Sequence, residues 1–221
     1  MLRDLGYTDA QLKDGGFDAA DFRTLHHVAP GLLLEIGFEV TELRKGGYLC
    51  AELKHAGCSA LALYEGGFTA KLMKAAGFKP IELKEELGLH ARELRTVGCT
   101  AQELFNIGYS ASELRDAGFN ARQLREVGIQ AEDLKTAGYT AAELEDVGFS
   151  CQQLHDGNYS AAEMKLTSFD AAEFRSAGYG AAELKSIGFT PHELREGGYT
   201  LHELRALHIP KWELKAAGFA V

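Results

Sequence analysis

The chain has 221 residues, 46% of them hydrophobic, and a net charge of −9 from 23 Lys and Arg against 32 Asp and Glu. That balance weighs against a nonspecific binder of nucleic acid or anionic membrane, whose affinity rests on basic charge. No run approaches the roughly 20 apolar residues of a membrane span, and the opening Met1-Leu2-Arg3-Asp4-Leu5-Gly6 holds no apolar signal segment, so a cytoplasmic or organellar-matrix location is expected.

From Gly6 onward nearly the same decapeptide recurs, as in Gly138-Tyr139-Thr140-Ala141-Ala142-Glu143-Leu144 and again at Gly178, Gly188 and Gly198. Each copy reads as a short helix with both ends encoded. Thr140 is an N-cap, Glu143 three residues on completes a capping box, and Tyr139 with Leu144 forms a hydrophobic staple. Gly148 falls where a left-handed residue closes the helix, and Phe149 both ends one helix and opens the next. Pro80 and Pro191 fall at the first helical position, where a missing amide is harmless. The alanine after the cap, the leucine and the residue before the glycine share one face. A helix of about seven residues does not survive alone, so neighbours must supply its core. The expected fold is therefore an all-α solenoid of about 22 short helices, forming a single domain over residues 1–221.

In chain order, the first irregularity is His26-His27-Val28-Ala29-Pro30-Gly31. Cap, glutamate and glycine are missing there, and a helix looks doubtful in its first turn. Cys50 and Cys151 replace alanines, and Cys58 and Cys99 replace aromatics. All four read as buried reduced thiols, because Cys50, His55 and Cys58 match no compact zinc spacing. The unit Lys79 to Leu87 carries one extra residue, which lengthens a helix or loosens its stop. Beyond residue 117, small and large residues alternate before the glycine (Ala117, Val127, Ala137, Val147), and the aromatics alternate with them (Tyr139, Phe149, Tyr159, Phe169). Alternate helices then occupy two environments, as in a solenoid of 20-residue helix pairs. At the far end, Trp212 either covers the end of the core or anchors a partner.

The histidines are scattered, the recurring box glutamates each have a capping role, and no phosphate loop, dinucleotide motif or nucleophile elbow is present. No enzyme, cofactor or metal is expected. Two positions vary instead: the residue before the box glutamate, and the one four residues later, its neighbour on the helix surface. The first gives a candidate partner-binding face of Arg92, Gln102, Arg122, Glu132, His192, His202 and Trp212. A constant core beneath a variable exterior suits a scaffold that binds proteins, as an adaptor or a structural subunit. The alternative is single-stranded RNA or DNA bound along a stacked row of Lys and Arg such as Lys54, Arg95, Arg115, Arg125, Lys135 and Lys185.

The run Thr-x-x-Glu-Leu-Lys followed by glycine resembles the helix-extended-helix modules of the SAP and LEM type, one decapeptide at a time. That resemblance implies DNA or chromatin binding; the chain departs from it in its uninterrupted period and its acidity. In its logic the array is similar to tetratricopeptide and HEAT solenoids, with a far shorter unit.

Overall fold

The computed structural model describes residues 6–220. Among these residues there are twenty α-helices and no strand. The chain divides into two compact units, residues 1–107 and 108–221. The first holds α1 (Asp9–Asp14), α2 (Ala19–His26), α3 (Pro30–Glu35), α4 (Val40–Lys45), α5 (Cys50–His55), α6 (Ala60–Glu65), α7 (Ala70–Ala75), α8 (Pro80–Leu87), α9 (Ala91–Thr96) and α10 (Ala101–Asn106). The second holds α11 (Ala111–Asp116), α12 (Ala121–Glu126), α13 (Ala131–Thr136), α14 (Ala141–Asp146), α15 (Cys151–Asp156), α16 (Ala171–Ser176), α17 (Ala181–Ile187), α18 (Pro191–Glu196), α19 (Leu201–Arg205) and α20 (Lys211–Ala216).

Helices this short persist because their ends are closed. Glu143 N donates to Thr140 Oγ1 at 3.3 Å and Thr140 N to Glu143 Oε2 at 2.7 Å, the two halves of a capping box. Where the cap residue lacks a suitable side chain the glutamate still serves, taking Leu49 N at 2.6 Å on Glu52 and Gly180 N at 2.8 Å on Glu183. At the other end, Gly148 has φ +92° and Phe149 N donates to Leu144 O at 2.9 Å, a Schellman stop.

At four places the structure departs from the sequence expectation or decides between the outcomes it left open. Pro30 does start a helix: it sits at the first position of α3, where it gives up no intrahelical bond. The extra residue near 79–87 is absorbed by lengthening α8 to eight residues. Residues 161–166, expected to be helical, form a turn, so the helix number is lower than 22. Ser168 stands there in place of the stop glycine and does not take the left-handed conformation that Asn158 (φ +63°) adopts in the preceding unit. Trp212 is 73% exposed and does not cover the core.

The recurring leucine at the fourth helical position forms the spine of both units, with Leu53, Leu83, Leu124, Leu144 and Leu194 all 0% exposed. Helices two apart stack, so each unit has two layers: α2, α4, α6, α8 beside α3, α5, α7 in the first, and α11, α13, α15, α16, α18, α20 beside α12, α14 and α17, α19 in the second. Small residues before the stop mark the closer layer. A Cβ on Gly157 would lie 2.6 Å from Ala131 Cβ, and one on Gly197 2.5 Å from Ala171 Cβ. Tyrosine hydroxyls cross the same layer: Tyr139 donates to Phe119 O at 2.6 Å, Tyr159 to Tyr139 O at 2.6 Å and Tyr199 to Tyr179 O at 2.7 Å. The 20-residue Tyr/Phe alternation thus reflects which layer a helix joins.

Candidate partner-binding face

Each candidate residue sits at the second position of its helix: Arg92 and Gln102 on α9 and α10 in the first unit, and Arg122, Glu132, His192, His202 and Trp212 on α12, α13, α18, α19 and α20 in the second. All seven are exposed. The expected neighbour four residues on is in place, with Gln102 Nε2 2.8 Å from Asn106 Oδ1 and His192 Nδ1 3.5 Å from Glu196 Oε2. Because successive helices alternate between layers, the second unit's candidates do not form one surface. Glu132, His192 and Trp212 belong to the close layer, Arg122 and His202 to the other. Glu132 is also 3.5 Å from Nδ2 of Asn158, the stop residue just past α15, the next helix of its layer.

The row of Lys and Arg has a structural task that single repeats did not reveal. Many of these basic side chains reach over the helix two further along and donate to a carbonyl near its C-terminal end, lie over the following ring, or do both. Arg115 Nη1 donates to Ala137 O at 2.6 Å with its guanidinium 4.6 Å from the Tyr139 ring. Lys74 Nζ reaches Gly98 O at 2.6 Å, and Lys13 Nζ lies 3.2 Å from Ile36 O and 4.6 Å from the Phe38 ring. Arg125 does the same to Val147 O and Phe149. The orphan carbonyls and negative end of a helix welcome a cation, and so does a ring face. Some of these cations also pair with a box glutamate a further helix on: Arg23 with Glu52 at 2.8 Å, Lys74 with Glu103 at 2.9 Å, Lys135 with Glu163 at 2.8 Å. The bond from Lys135, aided by Ser160 N, lowers the Glu163 carboxyl to about 2. The signal was present in the sequence as a fixed offset of 22 to 25 residues between each cation and its target carbonyl and ring, readable only once the two-layer stacking is known.

One repeat inverts the staple. Position 145 is a glutamate, and two repeats on Ser168 replaces the glycine. Ser168 N donates to Glu145 Oε1 at 2.9 Å, and the hydroxyl of Ser168 to the same oxygen at 2.5 Å. The acceptor takes up the amide that an absent stop would otherwise have bonded.

The four cysteines are free, with Cys50, Cys99 and Cys151 buried and Cys58 half-buried. Burial raises each thiol, Cys151 to about 12, so none is poised as a thiolate. Among the described residues no three His, Cys, Asp or Glu side chains come together in a metal-binding group, and no helix is long and apolar enough to cross a membrane.

Two stacked layers of capped short helices define a short-unit α-solenoid. The chain belongs to the decapeptide repeat region family, whose matches cover residues 29–86, 88–161 and 148–221. No curated protein and no solved structure matches it.

Proposed function

We propose that this chain is a non-enzymatic scaffold that binds protein partners through the outward positions of its helices, as an adaptor or as a structural subunit. The observation that carries this reading is the division of labour within the repeat. Leucine, alanine and aromatic are consumed by the core, threonine and glutamate by the caps, and lysine or arginine by the staple, while the second helical position varies and stays exposed. Trp212, exposed on that position, is the kind of residue that anchors interfaces. Engagement of the basic row with carbonyls and rings supports a protein partner over a nucleic acid, since phosphates would have to compete for cations already bonded.

The test is affinity capture from native cells with and without nuclease, comparing wild type with two surface variants, Glu132→Ala/His192→Ala/Trp212→Ala and Arg122→Ala/His202→Ala. A stoichiometric protein that resists nuclease and is lost with one variant is the expected result, and the variant names the layer used. Retained nucleic acid, or partners unaffected by both variants, would overturn the reading.

A further inference from the structure

The edge formed by caps and box residues differs between the two units. In the second unit the layer of α12, α14, α17 and α19 presents Gln123, Glu143, Glu183 and Glu203 at the box position, so that edge is polar. In the first unit the corresponding layer, α3, α5 and α7, carries Leu32 and Leu72 at the box position and Leu49 at the cap. These three leucines are 50%, 50% and 60% exposed, so they serve no core. The second unit folds with polar residues at the same places, so the repeat does not require leucine there. Because α3, α5 and α7 stack in that order, the leucines follow one another along one edge at the helix spacing of about 8–10 Å. Exposed apolar side chains set in a row mark a contact surface.

One charged group belongs to this edge and lacks its usual partner. Elsewhere the cation of one helix pairs with the box glutamate 28 or 29 residues on: Arg23 with Glu52 at 2.8 Å, Lys135 with Glu163 at 2.8 Å and Arg175 with Glu203 at 3.3 Å. By that offset Arg44 faces residue 72, which is leucine. The Arg44 guanidinium lies against Gly67 and 5.7 Å from the Phe68 ring, the two residues that lead to the cap of α7. It makes no hydrogen bond or ion pair with a described residue, and the side chain is exposed. Lys71, exposed beside Leu72, adds a second positive charge.

Resting on the scaffold reading, we propose that this edge of the first unit docks an amphipathic helix of a partner protein. Leucines one heptad apart on that helix lie over Leu32, Leu49 and Leu72, and an acidic residue between them pairs with Arg44. Seven residues of helix advance about 10 Å, close to the step between the stacked helices, so one straight helix meets all three leucines in turn. The partner's carboxylate supplies the acceptor that residue 72 does not. An arginine fork paired with a carboxylate also fixes where along the row the helix stops.

The experiment is a titration of the isotope-labelled chain, followed by amide NMR, with a five-turn alanine- and glutamine-based helical peptide. It carries leucine at every seventh position and a glutamate three residues after each of the first two leucines; its counterpart has glutamine for glutamate. Expected are saturating shifts confined to residues 29–34, 44–54 and 67–74. Arg44→Gln should weaken the glutamate peptide about 1.4- to 5-fold, the range of an exposed ion pair, and leave the glutamine peptide unchanged. Leu72→Glu restores the box of the other repeats, so the chain should fold as before while the glutamate peptide is lost. Leu166→Ser, at an exposed leucine of the second unit, should change nothing. Absence of saturable binding, shifts spread over both units, binding that survives Leu72→Glu, or an equal effect of Arg44→Gln on both peptides would overturn the proposal. Failure here leaves the outward-face reading intact, because its surface variants are other residues and capture of the native partner judges them separately.

Discussion

At the scale of single residues, the stop glycine and the residue before it do different work, and substitution separates them. Gly157 has no room for a methyl group, since a Cβ would meet Ala131 Cβ at 2.6 Å, so Gly157→Ala should cost about 1–3 kcal/mol as overpacking. Gly148→Ala adds a methyl near the mobile end of Arg125 and suffers mainly from its positive φ, an expected cost of about 1–2 kcal/mol. Urea denaturation of both, with Leu144→Ala as a core reference at about 2–5 kcal/mol, checks the ranking. A Tyr159→Phe change removes the donor to Tyr139 O and should cost about 0.5–1.5 kcal/mol, more than the same change at exposed Tyr7. Caps, stops, spine leucines and the register of all these residues were legible in one decapeptide, because each is settled by neighbours in sequence. The roles of the cations and tyrosine hydroxyls were not, because their partners lie 20 or more residues away.

At the scale of elements, the turn at 161–166 separates the local code from its tertiary support. The repeat register puts Ser160 at the cap and Glu163 at the box position, and those bonds do form, at 3.3 Å and 2.7 Å. What fails is the stop, and a six-residue helix closed at one end only is too costly to nucleate. Glu145→Lys with Ser168→Gly should therefore restore both staple and stop, adding one helical turn detectable by amide exchange at 163–167. The single change Glu145→Lys leaves the Ser168 amide without its acceptor and should destabilise. A coupling of about 0.5–3 kcal/mol between the two changes is expected from a double-mutant cycle. The candidate face was legible residue by residue as exposure, whereas its partition between layers was not, since an alternation every ten residues carries no sign of which helices touch.

At the scale of the molecule, acid should loosen the array progressively. The Glu163 carboxyl is depressed from 4.5 to about 2 by Lys135, and Glu52, Glu143, Glu193 and Glu203 are depressed as well by Arg23 or by their cap partners. A carboxyl lowered on folding contributes stability that is complete above its unfolded value near 4.5 and disappears as pH falls toward about 2. The denaturation midpoint should be flat above pH ~5 and fall between about 4.5 and 2. These groups are partly solvated, so each accounts for about 0.2–1 kcal/mol, and Glu163→Gln should remove only its own share of the slope.

The two-layer stack also sets the step by which such a chain can grow. Inserting one decapeptide within a unit would exchange every following helix between layers, bringing residues such as Val147 and Ile187 to places shaped for Gly157 and Ala177, and moving tyrosines away from the carbonyls they reach. Inserting two preserves every partnership. Lengthening by duplication is thus permitted in steps of twenty residues and penalised in steps of ten, a parity rule imposed by spacing alone.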